Sequence, residues 1–373
     1  MMVQGWVVLE LTHSDGWVGL AAGLPTIPVI ALAMFGGAIT DRFNRRVIQM
    51  WSFTLLAITG FLTGILIDTD VIQLWHILVI AFPVAVVTTL RMTAGAALVV
   101  DIVGRERVFG ANAVSTAVTN IGRFAGPAIG GWILAQYRAD KAFYFVGFAL
   151  LLAAGLMWFV KVENPAKAKS DKSLIEDFKL GMRYISGTPE LRWLAVLAIS
   201  LIAAGMSFPL VSRWSSDVLG TGADGFGFIL AAGGVGGIVG AVTLMMTPPI
   251  KRLARTLIIV AFVWSIDIIA FSFTSTLWAA ALAWVINIAT VAWWANTLRT
   301  MFQLAAKDEM RGRVMALFGL VSQALAFGCF VGGLVSEAIG PQATFILSRV
   351  FVLSLYLLAY FRSSEFRQIG QDS

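Results

Sequence analysis

The sequence has little of what metal sites and enzyme active sites use. A single cysteine, Cys329, excludes an intramolecular disulfide and a cysteine-rich metal site. The two histidines, His13 and His76, are too few and too far apart for H-E-x-x-H chemistry. No G-x-S-x-G, Walker A or G-x-G-x-x-G segment opens a helix, which excludes an ATP-driven pump. We therefore expect no metal, no cofactor and no enzyme activity, and an intramembrane enzyme is the weakest alternative.

Charge is scarce as well. Charged residues make up 13% of the 373 residues, whereas soluble domains carry about a quarter. Apolar residues make up 58%, and the mean hydropathy is +0.84. A chain of this size cannot hide so much apolar surface inside a globule, so lipid must be the solvent for most of it. The net charge of +6 predicts no nucleic-acid partner, because its distribution follows the loops of a membrane protein.

Apolar runs long enough to cross a bilayer recur between short polar loops, which predicts an all-α membrane protein. The first eleven residues hold only about half of the roughly 20 apolar residues that a span needs. We expect them to be the outer end of a first span, counted here as span one, whose beginning is missing. Either the reading frame starts at an internal Met or the protein is short. The full spans are numbered two to twelve. They lack the basic start and cleavage site of a signal peptide. Eleven full spans are predicted near 16–39, 47–67, 74–97, 110–136, 142–160, 191–212, 223–246, 256–273, 276–300, 314–336 and 342–361.

The only long hydrophilic stretch divides the chain. We predict an N-terminal bundle at 1–160, a cytoplasmic linker at 161–190, a C-terminal bundle at 191–361 and a cytoplasmic tail at 362–373. In the linker, apolar residues at helical spacing follow Ser173, and Glu176 completes a capping box. This pattern is typical of an amphipathic helix on the membrane surface.

Lysine and arginine placement gives an orientation. Alternate loops and the tail hold almost all of the loop lysines and arginines, whereas the opposite loops hold only Arg138, Lys141 and Arg213. By the positive-inside rule the basic side is cytoplasmic, together with the C-terminus, in a bacterial-type inner membrane. A repeat at an offset of 206 relates Arg105 and Gly126 to Arg311 and Gly332, which favours two pseudo-symmetric six-helix halves.

One loop on the basic side carries a recognisable motif. Gly37, Asp41, Arg42, Arg45 and Arg46 stand in the order G-x-x-x-D-R-x-x-R-R, between spans two and three. This segment resembles motif A of the major facilitator superfamily, with Asn44 where glycine is usual. Asn tolerates left-handed backbone angles, so a tight turn stays feasible. Three further segments, beginning at Glu10, Asp177 and Asp308, are similar to the subfamily of the enterobactin exporter and the macrolide efflux permeases.

The resemblance implies a role for Asp41. In the family this aspartate faces the positive N-terminal end of span eleven, here near Gly312, and latches the halves together on the cytoplasmic side. Breaking the contact would open the carrier inward. The alternative is that Arg42, Arg45 and Arg46 merely enforce topology.

Span five carries a second motif, G-x-x-x-G-P-x-x-G-G, made by Gly122, Gly126, Pro127, Gly130 and Gly131. It matches the core of motif C, which is similar to the signature of proton-coupled exporters. Glycines four apart line one helix face and allow a neighbour to approach closely. Span eight has Gly233 and Gly237, and Gly236 and Gly240, at the same spacing, so we expect a glycine seam between these two spans. Ordinary helix packing is the alternative.

Charged residues within spans are costly unless they face a cavity or a partner. Asp267 lies near the middle of its span, and Glu10 lies near the outer end of span one. We take Asp267 first and Glu10 second as carriers of a coupling proton. Arg91, Arg123 and Arg349 are candidate charge partners, and a static ion pair is the alternative.

The sequence thus predicts a monomeric inner-membrane exporter. It would move a small amphipathic molecule of drug, macrolide or siderophore type outward in exchange for protons, by alternating access. Two alternatives stay open: uptake of a metabolite or lipid by the same fold, and a truncated relic or sensor that does not transport.

Overall fold

The fold is described from a computed structural model, which describes residues 2–29, 32, 43–104, 108–160, 174–247, 252–321, 324–363, 366–367 and 369. The described residues are almost entirely helical. Among them, nine helices are long and apolar enough to cross a membrane. The expected all-α membrane fold is confirmed. Of span two, expected at 16–39, the structure describes residues 16–29 and 32, and the rest lies outside the described residues.

The N-terminal half packs as a bundle. Its helices are α1 Met2–Thr12, α2 Asp15–Gly23, α3 Arg45–Asp68, α4 Leu74–Val103, α5 Val108–Gln136 and α6 Ala139–Met157. Two of these helices begin at side-chain caps: the Ser14 side chain accepts from the backbone N–H of Trp17, and that of Asn44 accepts from the N–H of Arg46. Asn44 has φ −63° and ψ 116°, so it serves as an extended N-cap and not as a left-handed turn residue.

The linker helix is α7, Leu174–Gly187. It packs against the start of span eleven: a Cβ added at Gly181 would lie 2.8 Å from Leu317 Cδ1, and the backbone N–H of Lys307 donates to the Tyr184 hydroxyl (3.2 Å). The linker helix therefore belongs with the C-terminal half. Its expected cap residue, Ser173, lies outside the described residues.

The C-terminal half has the same bundle plan. Span seven is interrupted at Pro209, which has no N–H for the helix ladder. Gly340, at φ +83°, ends span eleven, and Pro341 opens span twelve. The helices are α8 Pro189–Ala198, α9 Ser200–Ser207, α10 Leu210–Arg213 with a π-helical turn Trp214–Val218, α11 Gly222–Met246, α12 Leu253–Phe271, α13 Leu277–Ala305, α14 Asp308–Val321, α15 Ala324–Ile339 and α16 Pro341–Arg362.

Successive spans run in opposite directions, so the bundle has two ends with different charge. We call one the basic end; it carries the loops next to Arg45, Arg252 and Lys307. The other is the acidic end, where the loops hold mainly carboxylates; Arg138 pairs there with Asp70 at 2.7 Å. The two halves meet through α2 against α15 and α5 against α11.

Candidate functional site

The closest approach between α5 and α11 lies near the acidic end, at Gly131 and Gly227. A Cβ on Gly131 would meet the carbonyl oxygen of Gly227 and, at 2.9 Å, the N of Ala231. A Cβ on Gly227 would likewise meet the carbonyl oxygen of Gly131. The two backbones touch directly, so no larger side chain fits at this seam.

A second glycine contact joins α2 to α15. A Cβ on Gly19 would lie 2.5 Å from the carbonyl oxygen of Cys329 and 3.1 Å from the Cα of Gly333. A Cβ on Gly23 would lie 2.7 Å from the Cβ of Phe330. Gly19 and Gly23 are four residues apart, so their spacing was available in the sequence as a signal of close packing. Sequence reasoning missed this contact.

The rest of the motif C face has no close neighbour. Among the described residues, nothing lies within 4 Å of a Cβ added at Gly122 or Gly126, and the nearest atom to Gly130 is Val3 Cγ2 at 3.9 Å. Ser115 and Thr119 continue this stripe at helical spacing and are also exposed. The side chains of Arg123 and Pro127 lie outside the described residues. Among the four motif glycines, Gly131 is the one whose added Cβ would meet described atoms of α11.

The expected glycine face of span eight points elsewhere. Cβ atoms on Gly233, Gly236 and Gly240 would meet Trp284, Val285 and Ala289 of α13. The expectation that these residues face span five is wrong. Glycine spacing indicates that a helix has a close neighbour, but not which helix that neighbour is. Two faces of α11 have close neighbours, α5 on one and α13 on the other.

Two of the motif A arginines are described, and both bind within the N-terminal half. Arg45 Nη1 lies 2.8 and 2.9 Å from the two carboxylate oxygens of Asp101, and both side chains are buried. Arg46 donates to the carbonyl oxygens of Met157 (3.1 Å) and Trp158 (2.6 Å), at the negative end of the α6 dipole. These arginines therefore join α3 to α4 and to α6. Gly37, Asp41 and Arg42 lie outside the described residues.

The C-terminal half buries a charged pair in its own core. Asp267 on α12 is 7% exposed, and Arg349 on α16 is 1% exposed. Arg349 Nη2 donates to Ser207 Oγ (2.6 Å), and its guanidinium lies 4.5 Å from the ring centroid of Trp264. Arg349 is the charged neighbour of Asp267, and Asn287 of α13 is its polar neighbour. Sequence reasoning named Asp267 and Arg349 as candidate partners, and the fold brings them together.

This pair is incompletely bonded. Among the described residues, Asp267 Oδ2 and the Nε and Nη1 atoms of Arg349 have no hydrogen-bond partner. Next to the pair, Trp264 packs on Trp294, and Trp294 Nε1 donates to the Tyr356 hydroxyl (2.5 Å). Buried polar atoms are normally hydrogen-bonded, so this pair departs from the usual state of a protein core.

The other charges that the sequence singled out lie apart from this pair. Glu10 is exposed on α1. Arg91 is half-buried on α4, with its guanidinium 5.3 Å from the ring centroid of Phe53, and its Nε has no partner among the described residues. Of the three candidate arginines, Arg349 is therefore the one that the fold places beside Asp267. Arg91 belongs to the other half.

A fully buried carboxylate at the acidic end was not predicted. Asp15 begins α2 and accepts a hydrogen bond from Ser336 of α15 (2.5 Å). The sequence signal was only the pair Ser14-Asp15 at a helix start, which is also what any N-cap shows. No spacing rule relates it to a residue more than three hundred positions away.

Comparison with known proteins agrees with this architecture. The profile of a family described as transmembrane secretion effector matches residues 2–372. The chain is 21% identical to the staphyloferrin A transporter of Staphylococcus aureus, over 99% of this chain and 93% of that protein. It is 24% identical to the multidrug efflux pump Tap of Mycolicibacterium fortuitum, over 95% and 89%. Among solved structures, a bacterial homolog of the human lysosomal transporter Spinster, inward-facing and occupied, superposes with a TM-score of 0.74 at 14% identity, covering 98% of this chain and 93% of that one.

Proposed function

The chain belongs to the transmembrane secretion effector family of major facilitator transporters, and from that premise we propose that it exports a small amphipathic molecule in exchange for protons. Membership makes the protein a membrane transporter and not an enzyme. The export direction is supported by the motif C residues and by a relative named as an efflux pump. A drug, macrolide or siderophore type of substrate is proposed on the same ground, with the protein acting as a monomer.

The proposed orientation puts the basic end in the cytoplasm of a bacterial cell, by the positive-inside rule. The direct backbone contacts between the halves that the structure describes, Gly131 with Gly227 and Gly19 with Gly333, lie toward the acidic end. In this arrangement a substrate enters from the cytoplasm. Export then requires the opposite arrangement, in which the acidic end opens and the basic end closes.

Asp267 is the proposed proton carrier, and its incomplete pairing with Arg349 is the observation that supports it. In a dry core, this carboxylate, with one unbonded oxygen, is held by the charge of Arg349 and by the side chain of Asn287. When a proton binds Asp267, the carboxyl loses its charge and no longer attracts Arg349. Arg349 then keeps its contacts with Ser207 and Trp264. This exchange of partners couples proton binding to packing among α9, α12 and α16.

The test is transport by purified protein in proteoliposomes under an imposed pH gradient. We expect Asp267→Asn to abolish gradient-driven efflux and to keep substrate binding and downhill exchange. Asp140→Asn is the matched control, because Asp140 is also buried but pairs with the half-exposed Lys141 at 2.7 Å. We expect that variant to respond to the gradient like the wild type.

Two outcomes would overturn parts of the proposal. Equal gradient-driven efflux by Asp267→Asn and the wild type would remove Asp267 from the role and leave Glu10 as the next candidate. Wild-type transport that ignores the pH gradient would overturn proton antiport itself and favour uptake by the same fold.

A further inference from the structure

Side chains from both halves meet at the acidic end, next to the α2–α15 glycine contact. The N-terminal half contributes Ser14 and Asp15, at the start of α2. The C-terminal half contributes Arg213 at the end of α10, with Ser336 and Glu337 near the end of α15. The motif-based sites account for none of these five residues.

The bonds between them run from one half to the other. Ser336 Oγ donates to Asp15 Oδ2 (2.5 Å), and Arg213 Nη1 lies 3.5 Å from the same oxygen. Arg213 also donates from Nε to Asp217 (2.9 Å), so its charge is shared between two carboxylates. The Ser14 hydroxyl donates to a carboxylate oxygen of Glu337. Each of these hydrogen bonds to Ser14 or Asp15 exists only while the halves touch.

Burial makes the contact at Asp15 finely balanced. Its side chain is fully buried, and Oδ1 has no hydrogen-bond partner among the described residues. Taking a carboxylate out of water is costly, and the hydrogen bond from Ser336 together with the charge of Arg213 offsets this cost. Opening the acidic end would rehydrate the carboxylate but lose both partners. Because the cost of desolvation and the stabilisation by the two partners nearly cancel, this contact can form and break repeatedly.

From this geometry we propose that Asp15, Ser336 and Arg213 form an acidic-end latch, which holds the halves together in the arrangement described here and opens once in each transport cycle. The latch acts by positioning the two halves and touches no substrate. The proposal rests on alternating access between two halves and does not depend on proton coupling or on the identity of the substrate.

Asp140 provides a matched comparison. Like Asp15, it is fully buried at the start of an acidic-end helix. Its charged neighbours, Lys141 and Arg138, at 2.7 and 3.9 Å, belong to its own half. Removing its charge perturbs the N-terminal half but leaves the contact between halves in place. The same substitution at both positions therefore separates a latch from a merely structural aspartate.

The first experiment measures accessibility from the basic end. In a Cys329→Ser background, a cysteine at Ser115 reports on the exposed stripe of α5, and labelling by an impermeant thiol reagent is followed in inverted and right-side-out vesicles. We expect Asp15→Asn and Ser336→Ala to lower the labelling rate, by up to about 150-fold, as the loss of a hydrogen bond to a charged group allows. Asp140→Asn should leave the rate unchanged. Unchanged labelling in both latch variants at normal membrane yield would overturn the proposal.

A second experiment is independent of the stability of those variants. Cysteines at Ser14 and Glu337 keep Asp15 and Ser336 intact and can be joined by a short cleavable bifunctional thiol reagent. We expect joining to stop downhill substrate exchange and cleavage of the reagent to restore it. Exchange that continues at the original rate in the joined protein would overturn the proposal, because the contact would then not open during transport. Downhill exchange needs no proton gradient, so this result is separate from that of the Asp267 test.

Discussion

The two ends of the molecule differ in how they hold the halves. At the acidic end the contact is direct: backbone on backbone at Gly131 and Gly227, and a carboxylate shared between halves at Asp15. Toward the basic end, a Cβ added at Gly122 or Gly126 of α5 would have nothing within 4 Å among the described residues. There the described motif arginines, Arg45 and Arg46, bind within their own half. Small residues alone do not define a contact, since Gly131 of this motif packs against α11 while Gly122 and Gly126 have no neighbour within 4 Å among the described residues.

Substitutions at Gly131 and Gly126, toward the two ends of motif C, should have the largest effects on the difference between the acidic and basic ends. Leucine at Gly131 would overpack the α5–α11 seam, and overpacking of about 1–3 kcal/mol makes the closed acidic end about five- to 150-fold less populated. A Cβ at Gly126 meets no described atom within 4 Å, so leucine there would instead obstruct the opposite arrangement. We expect both variants to stop transport but with opposite accessibility at Ser115→Cys, low for Gly131→Leu and high for Gly126→Leu. Normal transport by Gly126→Leu would mean that this face never closes.

The basic end should depend on a smaller interaction. If Asp41 contacts the start of α14 when the basic end closes, Asp41→Asn removes a charge–dipole contact of about 0.3–1 kcal/mol. Such a change alters the populations about two- to fivefold and leaves folding intact. We expect normal membrane yield with slower efflux, measured as initial rates in whole cells. Asp177→Asn, in the linker helix, serves as the control. Unchanged efflux at normal yield would refute the role.

The sequence predicted the class of fold and the helix order because hydrophobic runs and basic loops are local patterns. It also identified Asp267 and Arg349 as candidate partners, because few charged residues lie within spans. It could not give the rotation of each helix about its axis, which decides that Gly131 faces α11 while Gly233 faces α13. Asp15 was missed for the same reason: its partner Ser336 is set by contact between halves, which no spacing encodes.

The hydrogen bonds of Arg46 to the carbonyl end of α6 also bear on how the protein is made. They join the helix that begins at Arg45 to the last helix of the N-terminal half, and their acceptors are complete once Trp158 has been synthesised. The C-terminal half begins about thirty residues later, at Pro189. The N-terminal bundle can therefore finish its own tertiary contacts during translation, before its partner enters the membrane. Assembly of the two halves is then a docking step between preformed units.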